Sequence, residues 1–365
     1  MRILYIVPDV NNEGGVARVL SIKANYLVDK FGYQIAILTQ NDGNSNTFYQ
    51  FNKNIDFYDM ILKGNIFQFF ISYFKAINKK IKLIKPDVIV VCDNGLKAYL
   101  FPFIAFTKVP IIFESHGSRF VEDFKKNNNF RNRFFSKIKY SFKKFCASKF
   151  DKIVVLSLES LKEWNVKNAI IIPNPSFFES NKIAKLISKK VIVVARHSYE
   201  KGLDRLLPIW KKIIEKHEDW QLEIYGKSSE NKDLKKQTTE LNLDRNISLF
   251  EPIKNICEKY LDASMLLMTS RQEGLPMVLI EAMTLGLPCI AYDCPVGPSA
   301  IINNNKNGFL IENGNENEFV KAIEILIIDE DLRIAMGQNA KKSSERFNLD
   351  LIMIKWDSVF KEIIS

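Results

Sequence analysis

Apolar and polar positions along the chain of 365 residues fall into two alternating rhythms. Short runs rich in β-branched residues read as strands: Ile3 to Val7, Gln34 to Thr39, Val88 to Cys92, Ile111 to Glu114, Ile153 to Leu156 and Ala169 to Ile172. Between them, apolar residues at helical spacing predict longer helices, such as Val16 to Phe31 and Ile66 to Ile84. A polar, turn-rich stretch from Pro175 to Ser188 breaks the rhythm. It then restarts with strand runs at Val191 to Ala195, Gln221 to Tyr225, Ile247 to Phe250, Met265 to Thr269 and Cys289 to Tyr292. Strands alternating with helices predict an α/β protein: two Rossmann-like, doubly wound, parallel-sheet domains facing across a cleft. The length suits two domains. The expected division is 1–175, 176–347 and a closing helix in 348–365, where Leu349 to Ile364 places apolar residues at helical spacing around Trp356.

Composition adds exclusions. Hydrophobic residues at 47% and charged residues at 26% are ordinary for a water-soluble protein with packed cores. The apolar run Ile3 to Val7 is cut off by Pro8-Asp9, unlike a secretory signal, and Ala98 to Phe113 carries Pro102, Lys108 and Pro110, unlike a membrane span. A cytoplasmic location is expected. Five cysteines at irregular spacing, with only three histidines, argue against disulfides and structural zinc and for buried free thiols.

The chemistry concentrates just past the strands, where ligands of such sheets bind. In the run Ser270 to Ala282, Gly274 and Pro276 predict a turn and a helix start, so Glu273 lies in a loop and Glu281 inside the following apolar helix, ended by Gly286-Leu287-Pro288. A glutamate on an apolar helix needs a partner. Sugar or ribose hydroxyls would serve; pairing with a core arginine or capping of a neighbouring loop is the plain alternative. The amides of Gly274, Leu275, Met277 and Val278 at the helix start offer donors to a phosphate. Arg196 and Lys201 leave the end of an apolar strand and are expected to converge on the same phosphates. Gly14 and Gly15 follow the first strand, where they either let the backbone approach a ligand or merely meet a need for positive φ. The loop between strand and glycines lacks the G-x-G-x-x-G spacing of a nicotinamide site. His116, in Phe113-Glu114-Ser115-His116-Gly117, again follows a strand.

The run from Glu273 to Glu281 resembles the E-x7-E motif of the family 4 retaining glycosyltransferases, which have the GT-B fold. Arg196 to Gly202 is similar to that family's R-x4-K-G segment, Ile171 to Pro175 to the stretch closing its first domain, and Gly14 to Arg18 to its N-terminal glycine loop. The resemblance covers nearly the whole chain in the family's order. It implies that Arg196 and Lys201 hold a donor diphosphate and that Glu273 reads the transferred sugar and Glu281 the ribose. It also implies that His116 contacts the donor sugar, that the second domain holds mainly donor and the first mainly acceptor, and that the closing helix crosses back to the first domain. Gly117 stands where the family often has Asp, so no His-Asp pair is carried over. No metal is expected: Asp329-Glu330-Asp331 has the DxD spelling but sits between helical patterns. The segment Asp293 to Ala300 resembles hexose and N-acetylhexosamine transferases of bacterial surface polysaccharides and favours a UDP-sugar.

Charge is unevenly spread. Between Arg119 and Phe150 ten Lys or Arg face only Glu122 and Asp123, a share of +8 in a net +10. Eight phenylalanines lie in the same segment, and Phe134, Ile138, Phe142 and Phe145 recur at helical spacing. Basic residues interleaved with aromatics suggest an anionic membrane surface, peripheral at the inner face of the cytoplasmic membrane, within reach of a lipid-linked acceptor. The plain alternative makes the apolar stripe a core face and the lysines its wet face. No nucleic-acid partner is expected. Two other functions stay open: a GT-B sugar-nucleotide epimerase, and a non-catalytic membrane- or nucleic-acid-binding module.

Overall fold

The computed structural model describes residues 1–365 apart from 13, 44–46, 94, 120–129, 179–181 and 229–233; at 66–67 and 130–135 it describes the backbone only. The chain divides into two compact units, Met1–Pro175 with Leu349–Ser365, and Ser176–Asn348.

The first unit begins with β1 (Arg2–Ile6), α1 (Gly15–Phe31), β2 (Gln34–Gln40), β3 (Asp56–Met60), α2 (Ile66–Ile84) and β4 (Val88–Val91). It continues through α3 (Leu96–Tyr99), α4 (Phe101–Ile104), β5 (Ile111–Glu114), α5 (Phe130–Ala147), β6 (Lys152–Val155), α6 (Leu158–Trp164) and β7 (Ala169–Ile171). The second unit opens with β8 (Lys190–Val194), α7 (Leu203–Ile214), β9 (Gln221–Tyr225), α8 (Leu234–Glu240), β10 (Ile247–Phe250) and α9 (Cys257–Leu261). It is completed by β11 (Met265–Met268), α10 (Met277–Thr284), β12 (Cys289–Asp293), α11 (Pro298–Ile301), β13 (Gly308–Glu312), α12 (Glu316–Ile328) and α13 (Glu330–Ser344). A last helix, α14 (Leu349–Ile364), returns to the first unit.

Both sheets are parallel, in the orders β3-β2-β1-β4-β5-β6-β7 and β10-β9-β8-β11-β12-β13. Each chain path starts in mid-sheet, runs outward, then returns to the other side of its first strand. The order therefore reverses between β1 and β4 in one unit and between β8 and β11 in the other, and ligands of such sheets bind outside the strand ends at these points. Parallel strands covered on both faces explain the unbroken apolar runs: Val88–Val91 and Met265–Met268 are buried throughout.

Helix ends follow local chemistry. Asn65 and Gln68 form a reciprocal capping box at the start of α2, and α1 ends at Gly32 in the left-handed conformation. Helix α14 packs Ile352, Met353, Trp356 and Phe360 against Ile3, Tyr5 and Val90 of the first sheet, while Tyr73, Ile77 and Ile81 of α2 help fill the core on the opposite side. Two strands escape the periodicity reading, β3 and β13. Both are edge strands, and β3 carries Asp at two of its five positions.

Candidate active site

In the second unit, the loops leaving β8 and β11 are bound to one another. Tyr199–Lys201 form one tight turn closed by Gly202, whose φ of 64° is left-handed. A Cβ at Gly202 would stand 2.2 Å from the carbonyl oxygen of Thr269, the residue after β11. Only glycine allows that approach, and the Thr269 hydroxyl donates back to the Gly202 carbonyl at 2.9 Å. Arg271 adds a second tie. Its guanidinium donates to both oxygens of Asp204 at 2.8 and 2.7 Å and lies over the Tyr199 ring at 4.1 Å.

This frame brings Lys201 and Glu273 together. Lys201 Nζ lies 2.7 and 2.9 Å from the two carboxylate oxygens of Glu273, and Ser270 Oγ donates to the first of them at 2.6 Å. The Glu273 side chain is 8% exposed and that of Lys201 23%. The cation expected to hold phosphate and the carboxylate expected to read sugar are thus paired in a partly open position. Val278 of α10 lines the same small cavity. Arg196, just past β8, is exposed and pairs with no carboxylate among the described residues. Gly297, with φ 111°, packs its backbone where a Cβ would meet the Gly274 carbonyl oxygen at 2.8 Å and Pro276 Cδ at 2.6 Å. That contact docks the Asp293 to Ala300 loop onto the turn before α10. Cys294, buried beside this site, has its thiol pushed up to about 12 by burial and then by the Glu273 carboxylate.

Helix α10 begins at Met277 with Pro276 as its N-cap, and Leu275 is buried just before it. Glu281 is buried at 2% exposure, and its carboxylate accepts from the Tyr260 hydroxyl at 2.9 Å. Tyr260 is absent from the sequence reading, because α9 is a short helix whose pattern gives no hint of its target.

In the first unit, Gly14 and Gly15 start α1. Gly14 is extended at φ −69°, and neither glycine takes a positive φ, so that reason for glycine falls away. A Cβ at Gly15 would meet nothing within 4 Å, which leaves room for a ligand against the backbone. His116 follows β5, its side chain 8% exposed, with Nε2 3.5 Å from Glu114 Oε1. Glu114 in turn takes the Lys23 ammonium at 2.6 Å and the Cys92 thiol at 3.3 Å, all three buried. Lys23 and Glu114 also escaped the sequence reading. The available signal was a lysine on the Val19, Leu20, Ala24, Leu27 face of an amphipathic helix. Cys92, Glu114 and His116 place their ligating atoms within 4.8 Å of one another. The residues do not suit a metal, since the Lys23 ammonium already occupies the cation position on Glu114.

Comparison with known proteins decides the class. Residues 177–343 match the family model "Glycosyl transferases group 1". An uncharacterized glycosyltransferase of Haemophilus influenzae is 28% identical over 98% of this chain and 99% of its own length. The amylovoran biosynthesis glycosyltransferase AmsD of Erwinia amylovora is also 28% identical, over 98% of this chain and 99% of its own. A mutant S. aureus TarM, solved with UDP, fondaparinux and alpha-GlcNAc-glycerol, superposes with a TM-score of 0.79 at 17% identity, covering 98% of this chain and 99% of that one. The chain is a GT-B glycosyltransferase.

In this glycosyltransferase the basic-aromatic segment sits on α5. Phe120 to Asn129 lie outside the described residues, as do the side chains of Arg131, Arg133 and Phe134. Of the stripe that remains, Ile138, Phe142 and Phe145 are 52%, 40% and 52% exposed, so it is not the core face. The buried face is instead Tyr140, Lys143, Cys146 and Ala147. Phe145 stacks on Phe103 of α4 at 6.0 Å, itself exposed, and Phe106 beyond it is more exposed still. Asp329 caps the start of α13 through Leu332, a structural use of the DxD-like triplet.

Proposed function

We propose that this glycosyltransferase moves a hexose or N-acetylhexosamine, with retention, from a UDP-linked donor to a glycan or lipid-linked acceptor in bacterial cell-surface polysaccharide synthesis. The observation that carries the reading is the Lys201–Glu273 pair at the ends of β8 and β11, where the strand order reverses. A diphosphate leaving group needs cationic and N–H donors, and a polyhydroxylated sugar needs a carboxylate acceptor; this corner holds both. In the proposed roles, Lys201 and Arg196 stabilise the diphosphate, helped by the amides of Gly274 to Val278. Glu273 accepts from sugar hydroxyls, Glu281 from the ribose, and the backbone at Gly14 and Gly15 and the His116 ring contribute from the first unit. These groups carry out the transfer without a metal. AmsD, named for amylovoran biosynthesis, and the UDP in the TarM complex support the polysaccharide and nucleotide parts of the reading.

The proposed acceptor side includes the membrane. No helix among the described residues is long and apolar enough to cross a bilayer. The exposed Ile138, Phe142 and Phe145, flanked by Lys137 and Lys149, support a peripheral seat on an anionic cytoplasmic leaflet. The test of the catalytic reading is a turnover screen of UDP-, GDP- and ADP-sugars with wild type, Lys201→Ala and Glu273→Ala. One UDP-sugar should be consumed, and each variant should lose at least about 100-fold in turnover while staying folded. Near-normal turnover in both variants would refute the assignment.

A further inference from the structure

The Lys23–Glu114 pair is a costly feature for a packed core. Both side chains are almost fully buried, and a hydrophobic pair of similar volume serves a core as well or better than a desolvated ion pair. The pair is also overdetermined. Lys23 Nζ sits 3.7 Å from the Trp356 ring centroid and 5.9 Å from that of Tyr5, and Glu114 Oε2 accepts from Cys92. Lys23 of α1 and Cys92 after β4 thus hold the carboxylate, Trp356 of α14 and Tyr5 of β1 flank the ammonium, and His116 lies against the same carboxylate.

The backbone around His116 is fixed just as firmly. Ser115 Oγ accepts from Trp164 Nε1 at 3.2 Å and donates to the Gly117 carbonyl at 3.2 Å, and Ser118 Oγ donates to Glu163 at 2.9 Å. The ring is thus mounted between a rigid loop and Glu114. Its 3.5 Å separation is long for a hydrogen bond and short enough for the negative charge to decide which nitrogen carries the proton.

We propose that Glu114 and Lys23 are positioning residues for His116: the carboxylate orients the ring and holds its proton on Nε2, leaving Nδ1 as acceptor for a sugar hydroxyl, and the ammonium balances the carboxylate. The proposal rests on the reading in which His116 touches the donor sugar. Around the ring the charges are Glu114 from β5 and Lys23 from α1, with the Cys92 thiol and the Tyr5 phenol beside them. Burial lowers the proton affinity of His116, Glu114 raises it, and Lys23 lowers it again, which favours a neutral ring. A neutral imidazole accepts at one nitrogen while donating at the other; an imidazolium only donates.

The experiment compares Lys23→Met, Glu114→Gln, the double variant and His116→Asn. Donor turnover is followed between about pH 5.5 and 8.5, and His116 is titrated by NMR, which three histidines make assignable. Lys23→Met leaves an unbalanced carboxylate and should move the His116 titration and the acid limb of kcat/KM to higher pH; Glu114→Gln should move both lower. The double variant, with no charge left unpaired, should keep wild-type stability yet lose about tenfold or more in kcat/KM, because the ring has lost its charged acceptor. If the single variants do not fold, the double variant alone decides: stable and fully active would overturn the proposal. Variants that change stability but leave titration and pH profile in place would overturn it as well. Opposite shifts of the His116 titration, together with wild-type turnover in His116→Asn, would instead keep the clamp and remove the sugar-contact reading beneath it.

Discussion

Gly202→Ala tests how the site is assembled. The substitution forces an L side chain into the left-handed region, at φ 64°, for about 1–2 kcal/mol. Its Cβ would meet the Thr269 carbonyl oxygen at 2.2 Å, backbone that cannot swing aside like a side chain, for about 1–3 kcal/mol of overpacking. Lower entropy in the unfolded chain returns about 0.4–1 kcal/mol. The net loss is about 3 kcal/mol, or about 6–12 °C for a unit of this size, measured by calorimetry on the transition of the second unit. Turnover should fall at least about tenfold, since moving Thr269 away from Gly202 shifts the loops that carry Lys201 and Glu273 relative to one another. Gly15→Ala is the control. Its Cβ meets nothing within 4 Å at the first turn of α1, so stability should hold or rise slightly, and any loss of turnover there would report ligand against that backbone. A Gly202→Ala enzyme with wild-type melting and turnover would refute the close approach on which the site's geometry rests.

Four further outcomes are expected. Tyr260→Phe removes the hydroxyl that Glu281 accepts at 2.9 Å in a buried position; it should cost about 1–3 kcal/mol in stability and raise the donor KM several-fold, read by melting and steady-state kinetics. Stability should fall as pH drops below about 6.5, because burial first of all lowers the proton affinity of His116 and His197, so unfolding takes up protons there; melts from pH 8 to 5 should flatten in His116→Asn/His197→Asn. A further fall should begin below about pH 4.3, because Glu114, which burial pushes up, is held below its usual range by Lys23 and His116; its contribution is present above the unfolded value and vanishes as pH falls through the folded one. Replacing Ile138, Phe142 and Phe145 with serine should leave the fold within about 0.5 kcal/mol but abolish low-salt co-sedimentation with anionic vesicles; unchanged sedimentation would remove α5 from the membrane reading.

Much of the architecture was legible in the sequence, because strands of a parallel sheet buried on both faces appear as unbroken apolar runs. Ile111–Glu114, Val88–Val91 and Met265–Met268 fall where the pattern puts them. The edge strands β3 and β13 were not, since a strand paired on one side needs no continuous apolar run and Asp56 and Asp59 dilute the signal. At the site, residue types and spacing pointed to Lys201, Glu273 and Glu281, but their partners lie far along the chain. Spacing within one helix cannot show that Tyr260 meets Glu281 or that Lys23 meets a carboxylate 91 positions away. The stripe on α5 kept two readings open in the sequence, because helical spacing identifies a face without saying what it faces. The Gly202 requirement was hidden too, as it depends on a carbonyl from another strand.

In the roles proposed above, the Lys201–Glu273 pair would make donor recognition conditional. Without ligand the two charges compensate each other, so a lone anion that draws Lys201 away strands a carboxylate that is 8% exposed, with Ser270 as its other side-chain hydrogen-bond donor among the described residues. A ligand that brings phosphates and hydroxyls together satisfies both partners at once. On that reading the corner would work as a logical conjunction, favouring an intact sugar nucleotide over the free phosphates and spent nucleotides that crowd a cell. We predict that Glu273→Gln relaxes this conjunction: by calorimetry, the affinity gap between UDP-sugar and UDP should narrow, and an unchanged gap would show that the two charges act independently.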